Sequence, residues 1–541
     1  MWSRIPTEAF RQKEKEEIMK LRLSNASGRS IVGVTVLTIW MGVSAWAISA
    51  KEVGAKADVV TLRDGSIRQG MTDFSSNSAK FSTGDTGKAI VITGAGAEGR
   101  DLVTKIQAVT SAKQVTLADT AFNSVNGALT YYGTDDTAAI RSCVYEGTAR
   151  GGECIINDGS TFLASNSFTK ITALAANHNP IVKGVIAGHG TIIFAPQGQV
   201  KSGVNDRLFY LTSQESQPMQ IAGAIARGAT SFRAQDASDA AQVSPGDWVI
   251  ITERDSSPAA ADTVFVDWMQ VSDVDGATIR TSKPFRMAFP NARPWSGPPH
   301  FWGLSFRKVG PITSNVTVKD ITIIVPRVVK IPTVNHLAVV GIVTRATRGT
   351  TIANFTCKDA SGNCFAGLLD QGLTFENNHI NDAVFSEFAS MVDITISGNR
   401  INLPGTEFSL PGLPTSGGLE VDFGTGFSNV VDNTIGRTRQ VCIQVSPGIH
   451  DTLVKGNDCD VVTFGTGANC IMSRGGYRMT VTENTCAGGT GPGSGISFGD
   501  ENHLTAPILS DGNRIFNNRL RGFPKAYACD SRLRTDACDN R

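Results

Sequence analysis

The segments Ile394-Thr395-Ile396-Ser397-Gly398-Asn399, Leu453-Val454-Lys455-Gly456-Asn457 and Met479-Thr480-Val481-Thr482-Glu483-Asn484 share one pattern: a short strand of alternating apolar residues, one or two small or polar residues, then Asn. The unit recurs as Val316-Thr317-Val318-Lys319-Asp320, Thr351-Ile352-Ala353-Asn354, Thr374-Phe375-Glu376-Asn377-Asn378, Val430-Val431-Asp432-Asn433 and Ile515-Phe516-Asn517-Asn518, once with Asp for Asn. Read from their numbers, successive Asn or Asp positions lie 34, 24, 21, 34, 24, 27 and 34 residues apart. Period-2 alternation marks strands with one buried face, and self-similarity at roughly 20 to 45 residues marks a solenoid whose coils bury one another. A leucine-rich repeat would show a leucine framework, and a propeller a more regular period of about 40 residues. Neither is present. Asn tolerates the left-handed conformation of a sharp turn, and a stacked amide hydrogen-bonds along the axis. The spacing predicts an all-β parallel helix from about Gly151 to Pro524, with surplus residues leaving as loops.

Composition agrees. Across 541 residues the net charge is +1, 18% of residues are charged, and glycine numbers 56. No basic stretch alternates with aromatics, so nucleic acid is excluded as a partner. Abundant glycine without low-complexity tracts suits a β protein with many tight turns. No phosphate-binding glycine loop, nucleophile elbow or dinucleotide fingerprint occurs.

The N-terminus reads as an export signal. Between Arg29 and Lys51 lie 21 uncharged residues ending in Ala45-Trp46-Ala47, which has signal-peptidase spacing. A mature chain would then begin near Ile48, and Met19-Lys20-Leu21-Arg22 would make a more ordinary start to such a signal. About 20 apolar residues also span a bilayer, so a retained anchor is the competing reading for residues 1–50. Ten cysteines occur, none at zinc-ligand spacing. Cys143 with Cys154, Cys357 with Cys364 and Cys529 with Cys538 are near enough to bridge locally in an oxidising compartment. Cys442, Cys459, Cys470 and Cys486 fall inside strand-like repeats and read as buried free thiols. Together these features predict a secreted, periplasmic or cell-surface protein.

Between Tyr131 and Leu163 runs Gly133-Thr134-Asp135-Asp136-Thr137-Ala138-Ala139-Ile140, followed by Gly151-Gly152-Glu153-Cys154-Ile155-Ile156 and Gly159-Ser160-Thr161-Phe162-Leu163. This resembles the opening of the pectate-lyase superfamily, with Asp158 where that pattern has proline. The resemblance implies a right-handed parallel β-helix and a polysaccharide partner, and admits a lyase, hydrolase, epimerase or non-catalytic scaffold, monomeric or homotrimeric. From the residues themselves, Asp135, Asp136 or Thr137 caps a helix through Ile140 and Val144 that plugs the open end of the core. N-capping accounts for the two aspartates without any catalytic role.

Residues 51–130 read as an N-terminal β module with Gly-rich turns, 131–221 as the start of the helix, 222–300 as an inserted β module, 301–525 as the main coils and 526–541 as a tail. Trp248, Trp268, Trp295 and Trp302 cluster in or just after the insert. They serve either as sugar-stacking platforms or, the favoured reading, as core of the module.

In the pectate-lyase arrangement the strand before each Asn unit floors the substrate groove. Side chains alternate along a strand. With Val384, Val421, Ile443, Ile471 and Ile496 inward, one outward column reads Glu387, Asp422, Ser446, Arg474 and Gly499, with Asp500 adjacent. The other reads Phe385, Glu420, Gln444, Met472 and Ser497. This alignment predicts Glu387 beside Asp422, with Glu420 about 7 Å along the strand. Stacked carboxylates need a proton, a cation or a function. Glu387, Glu420, Asp422 and Asp500 with Arg474 supply a hydrolase's acid pair or, with a divalent cation such as calcium, an eliminating lyase's base and charge clamp. Gln444, Ser446, Ser497 and His503 would contact substrate. A merely solvated polar face is the competing reading, since a register error dissolves the column. Gly188-His189-Gly190 and Ser446-Pro447-Gly448-Ile449-His450-Asp451 resemble sugar-enzyme motifs only superficially, and the former belongs to an early coil.

Overall fold

Rows of inward apolar residues determine the architecture. In one sheet Cys154, Ile186, Val318, Ile352, Phe375, Ile396, Val430, Val454, Val481 and Ile515 are successive register partners. In a second, the row runs from Phe162 and Ile192 through Ile323, Cys357, Ile380, Ile401 and Ile435 to Cys459 and Cys486. A third, the groove sheet, aligns Phe209, Ile342, Phe365, Ser386, Leu419, Ile443, Ile471 and Ile496. One strand per coil enters each sheet, and all pairings are parallel; the three sheets hold eleven, ten and nine strands. The chain is a right-handed parallel β-helix. The computed structural model describes residues 46–97, 101–148, 151–165, 183–195, 206–255, 263–293, 303–325, 339–358, 363–381, 386–402, 418–438, 441–461, 469–488, 493–499 and 511–529. The expected export segment, apart from its last residues, and Cys538 lie outside these. No helix among the described residues is long and apolar enough to cross a membrane.

The turn between the first two sheets carries the asparagine ladder. Asn378, Asn399, Asn433, Asn457, Asn484 and Asn518 stack; each donates its backbone N–H and Nδ2 to Oδ1 of the next at 2.8–3.0 Å. These Asn are not the left-handed residues. That conformation belongs to the residue before each one: Asn377, Gly398, Asp432, Gly456, Glu483 and Asn517, with φ of 53–68°. Asp320 and Asn354 sit in this preceding column too, at 58° and 50°. Phe355 therefore fills the ladder position of its coil, donating its N–H to Asn378 Oδ1 at 2.9 Å. Turn and ladder are divided between neighbours because an amide can stack only when its own backbone leaves it pointing inward.

Disulfides correct the reading of the core thiols. Cys143–Cys154 and Cys357–Cys364 bridge as their proximity suggested. Cys442–Cys459 and Cys470–Cys486 are also bridged, with Cα separations of 6.1 and 6.0 Å, rather than free. Parallel stacking brings groove-sheet and second-sheet residues together across the coil interior. Among the described residues, only Cys442, Cys459 and Cys470 offer three potential metal-ligand atoms within 4.8 Å of one another, and their sulfurs are already in these bonds.

Helix α1 (Thr137–Thr148) buries Ile140, Cys143 and Val144 against the first coil. Asp135 Oδ1 accepts the Thr137 N–H at 3.1 Å and the Ser165 N–H at 3.1 Å, which caps α1 and ties it to the solenoid. Despite burial, the bonds from Ser165 and Thr137 hold this carboxyl below the usual range. Asp136 instead receives the Lys56 and Ala57 N–H groups at 2.7 and 3.0 Å. Before α1, six strands between Val60 and Gly133 close into an antiparallel barrel around Phe74, Ile90 and Val115. Its Val91 and Tyr131 pack on Ile193 of the second sheet. A six-stranded antiparallel insert, running in sequence from the strand Met219–Gln220 to the strand Gly303–Val309, interrupts the solenoid.

Candidate functional site

The groove sheet's outward rows follow from its inward ones. Tyr210, Val343, Ala366, Glu387, Glu420, Gln444, Met472 and Ser497 form one row of direct register partners. Leu368, Ala389, Asp422 and Ser446 form the next. Arg474 pairs with Gly499 and is exposed. Glu387 therefore stands beside Glu420, not beside Asp422 as the alignment predicted. Ser386, rather than Val384, takes the inward place beside Leu419. Phe388 is then inside, packed at 5.0 Å on Phe365 and 5.2 Å on Phe375. Alternation has period two, so a two-residue slip leaves every in-or-out assignment unchanged, and the pattern alone does not choose between the registers.

Glu387 and Glu420 are both half-buried. Their backbones lie on neighbouring strands, which are spaced about 4.8 Å apart. Asn363 Nδ2 donates to Glu387 Oε2 at 3.2 Å, and Gln444 Nε2 donates to Glu420 Oε1 at 2.7 Å. Gln444 steadies Glu420 from within the row, whereas Asn363 reaches Glu387 from outside it, just before the strand that carries Ala366. Asn363 is fully buried and its Oδ1 has no hydrogen-bond partner. Sequence reasoning missed Asn363. Its one signal was the neighbouring Cys364, whose disulfide fixes the strand there.

Asp422 faces outward yet is only 3% exposed. Beside it the insert abuts the solenoid: a Cβ on Gly424 would come within 2.7 Å of the Val264 carbonyl carbon, and one on Gly448 within 2.4 Å of its oxygen. Both glycines have φ of 74°. Arg286 clamps the contact, bridging Asp267 at 3.0 Å and Asp393 at 2.5 Å while lying 3.9 Å over the Phe427 ring. Trp268 donates Nε1–H to Leu369 O at 2.9 Å and is 3% exposed, while Arg348 lies 3.5 Å over Trp248. These two tryptophans tie the insert to the solenoid. Trp295 and Trp302 lie outside the described residues, as do Asp500, His503 and the Ser446 side chain.

His450 is fully buried, with ring centroids of Phe427 and Tyr477 at 5.0 and 5.4 Å. Burial pushes its pKa down. Asp370, also unforeseen, is fully buried and accepts bonds from the Thr344 hydroxyl and the Thr347 N–H and hydroxyl. Burial pushes its pKa up to about 7. Both groups lie inside packed structure and are not part of the groove face. His189, whose N–H donates to Asp158 Oδ1 at 2.8 Å, belongs to the early-coil turn between Gly184–Ala187 and Thr191–Phe194.

No family model matches the chain, and no curated protein matches it. Among solved structures it is similar to a tailspike of Acinetobacter baumannii bacteriophage AP22 in complex with a capsular saccharide, at 12% identity and a TM-score of 0.32, over 74% of this chain and 67% of that one. It is similar to the tailspike gp61 of Pseudomonas phage phi297 at 10% identity and TM-score 0.36, over 74% and 70%. It is also similar to the A-module of an Azotobacter vinelandii mannuronan C-5 epimerase at 11% identity and TM-score 0.29, over 73% and 94%. These likenesses carry no residue assignments to this chain.

Proposed function

We propose that this chain is an exported polysaccharide-active enzyme that holds an extended glycan along the groove sheet and hydrolyses it with Glu387 and Glu420. The adjacency of these two carboxylates on neighbouring strands, each steadied by an amide, carries the reading. Two carboxyl groups about 5–5.5 Å apart suit hydrolysis with retention, whereas inversion needs roughly 6.5–9.5 Å to admit water. Glu420, held by the Gln444 Nε2–H at 2.7 Å, is the nucleophile. Glu387 protonates the leaving oxygen. Gln444, Met472 and Ser497 extend the floor, and the insert walls the side nearest Asp422. Arg474, exposed in the row of Asp422, meets an anionic group of the glycan. Four disulfides support an oxidising compartment.

The test is a screen on neutral and uronate-containing glycans, read for new reducing ends and for the absorbance of an unsaturated uronate. Reducing ends without that absorbance, with the anomeric configuration kept, support the proposal. Absorbance gain would assign elimination, with Arg474 as the base. Binding without cleavage on a panel that includes the true ligand would leave a glycan-binding scaffold.

A further inference from the structure

Residues from Trp46 onward are woven into the solenoid. Ala47, Ile48 and Ser49 pair in parallel with Glu153, Cys154 and Ile155 as the outermost strand of the first sheet. The Glu153 N–H donates to the Trp46 carbonyl at 3.0 Å, and the Ala50 N–H to Ile155 O at 3.0 Å. Gly152 meets this strand so closely that a Cβ there would lie 2.2 Å from Trp46 O. Only glycine admits the approach, so the position of the Trp46 carbonyl is built into the fold. Beneath it, Cys143 is bridged to Cys154, the partner of Ile48. The Trp46 side chain, by contrast, is 74% exposed.

The expected cut after Ala47 would remove the acceptor of the Glu153 N–H and the first residue pair of the strand. A second small-residue site lies two positions upstream, at Val43-Ser44-Ala45. We propose that a signal peptidase hydrolyses the bond after Ala45, so that the exported chain begins at Trp46. Water supplies hydroxide to the Ala45 carbonyl, leaving a carboxylate on the released peptide, and a proton to the nitrogen that becomes the Trp46 α-amine. Every backbone contact of the first strand among the described residues survives this cut. The new ammonium sits one residue outside the ladder, next to a side chain already in solvent. The proposal rests on export alone and stands or falls separately from the glycan reading.

Two measurements test it. Intact-mass analysis and N-terminal sequencing of the exported full-length product should give a chain starting at Trp46; a start at Ile48, or retention of residues 1–45, would overturn the proposal. Chains expressed directly from Trp46 and from Ile48 should differ as well. The shorter one should lose hydrogen-exchange protection at the Glu153 amide and melt roughly 2 °C lower or more. Equal protection and equal melting would remove the structural ground for the Trp46 start.

Discussion

The asparagine turn and the groove sheet are built from the same coils, yet they treat polar groups in opposite ways. On the turn, each stacked Asn finds its partners within the chain: Asn433 accepts twice from Asn399, donates twice to Asn457 and donates once to Ile396 O. On the groove sheet, Glu387 and Glu420 are set side by side in half-exposed positions, and Asn363 keeps an unmet acceptor in full burial. Bringing like charges together is unfavourable, and burying an unpaired acceptor costs about 1–3 kcal/mol. A fold that pays neither cost at the turn and both at the groove has spent stability where a ligand would recover it. The lesson is to look for function where a repeat stops satisfying itself.

Four experiments break or sharpen that contrast. The largest effect is expected from Glu420→Gln, which keeps the shape and the Gln444 contact but removes the nucleophile. Activity on the true glycan should fall about a thousandfold with the melting temperature unchanged; Glu387→Gln should lose most on substrates with poor leaving groups. Retained activity in Glu420→Gln would move the chemistry away from this pair. On the other side of the contrast stands Asn433→Ala. It strands the Asn399 donors and Ile396 O and leaves Asn457 Oδ1 only the backbone N–H of residue 433, so denaturant titration should show a loss of roughly 3 kcal/mol, with normal kcat at a temperature where the protein is folded.

Replacing Cys470 and Cys486 together by Ser should cost roughly 2–3 kcal/mol in the same titration, through a larger entropy of the unfolded chain. The groove row would remain in register, so substrate affinity should hold. The last experiment concerns Asp370, whose pKa is raised by burial to about 7 from an unfolded value near 3.9. The folded chain then binds more protons than the unfolded one between about pH 4 and 7. Stability from this group falls as pH rises through that window and is level above it. Asp370→Asn, whose amide can donate to the Thr344 hydroxyl, should flatten that slope in melts taken across the window. An unchanged slope would place its origin in other groups.

Much of the solenoid was legible because its signals are local. Each Asn unit is a short strand plus a turn, and each can be recognised without knowing its neighbours. The same holds for the cap of α1 and for the cysteine pairs 143–154 and 357–364, which lie 11 and 7 residues apart. The pairs 442–459 and 470–486 were not legible, although only 17 and 16 residues apart, since each joins strands of different sheets. The division of labour between the left-handed residue and the stacked Asn was also missed: Asp320-Ile321 and Asn354-Phe355 look like the later Asn-Asn and Asp-Asn pairs shifted by one.

By itself the sequence determined the class of fold, the axis along which coils stack and the face on which each strand residue lies, because periodicity is written residue by residue. Only the tertiary structure decided which residues stand side by side across coils. Glu387 opposite Glu420 depends on Phe388 filling the space beside Phe365 and Phe375. The burial of Asp422 depends on an insert that arrives from more than a hundred residues earlier, and closes against glycines at 424 and 448. Packing volume and close backbone approach are properties of pairs, and a single strand's alternation holds no record of them.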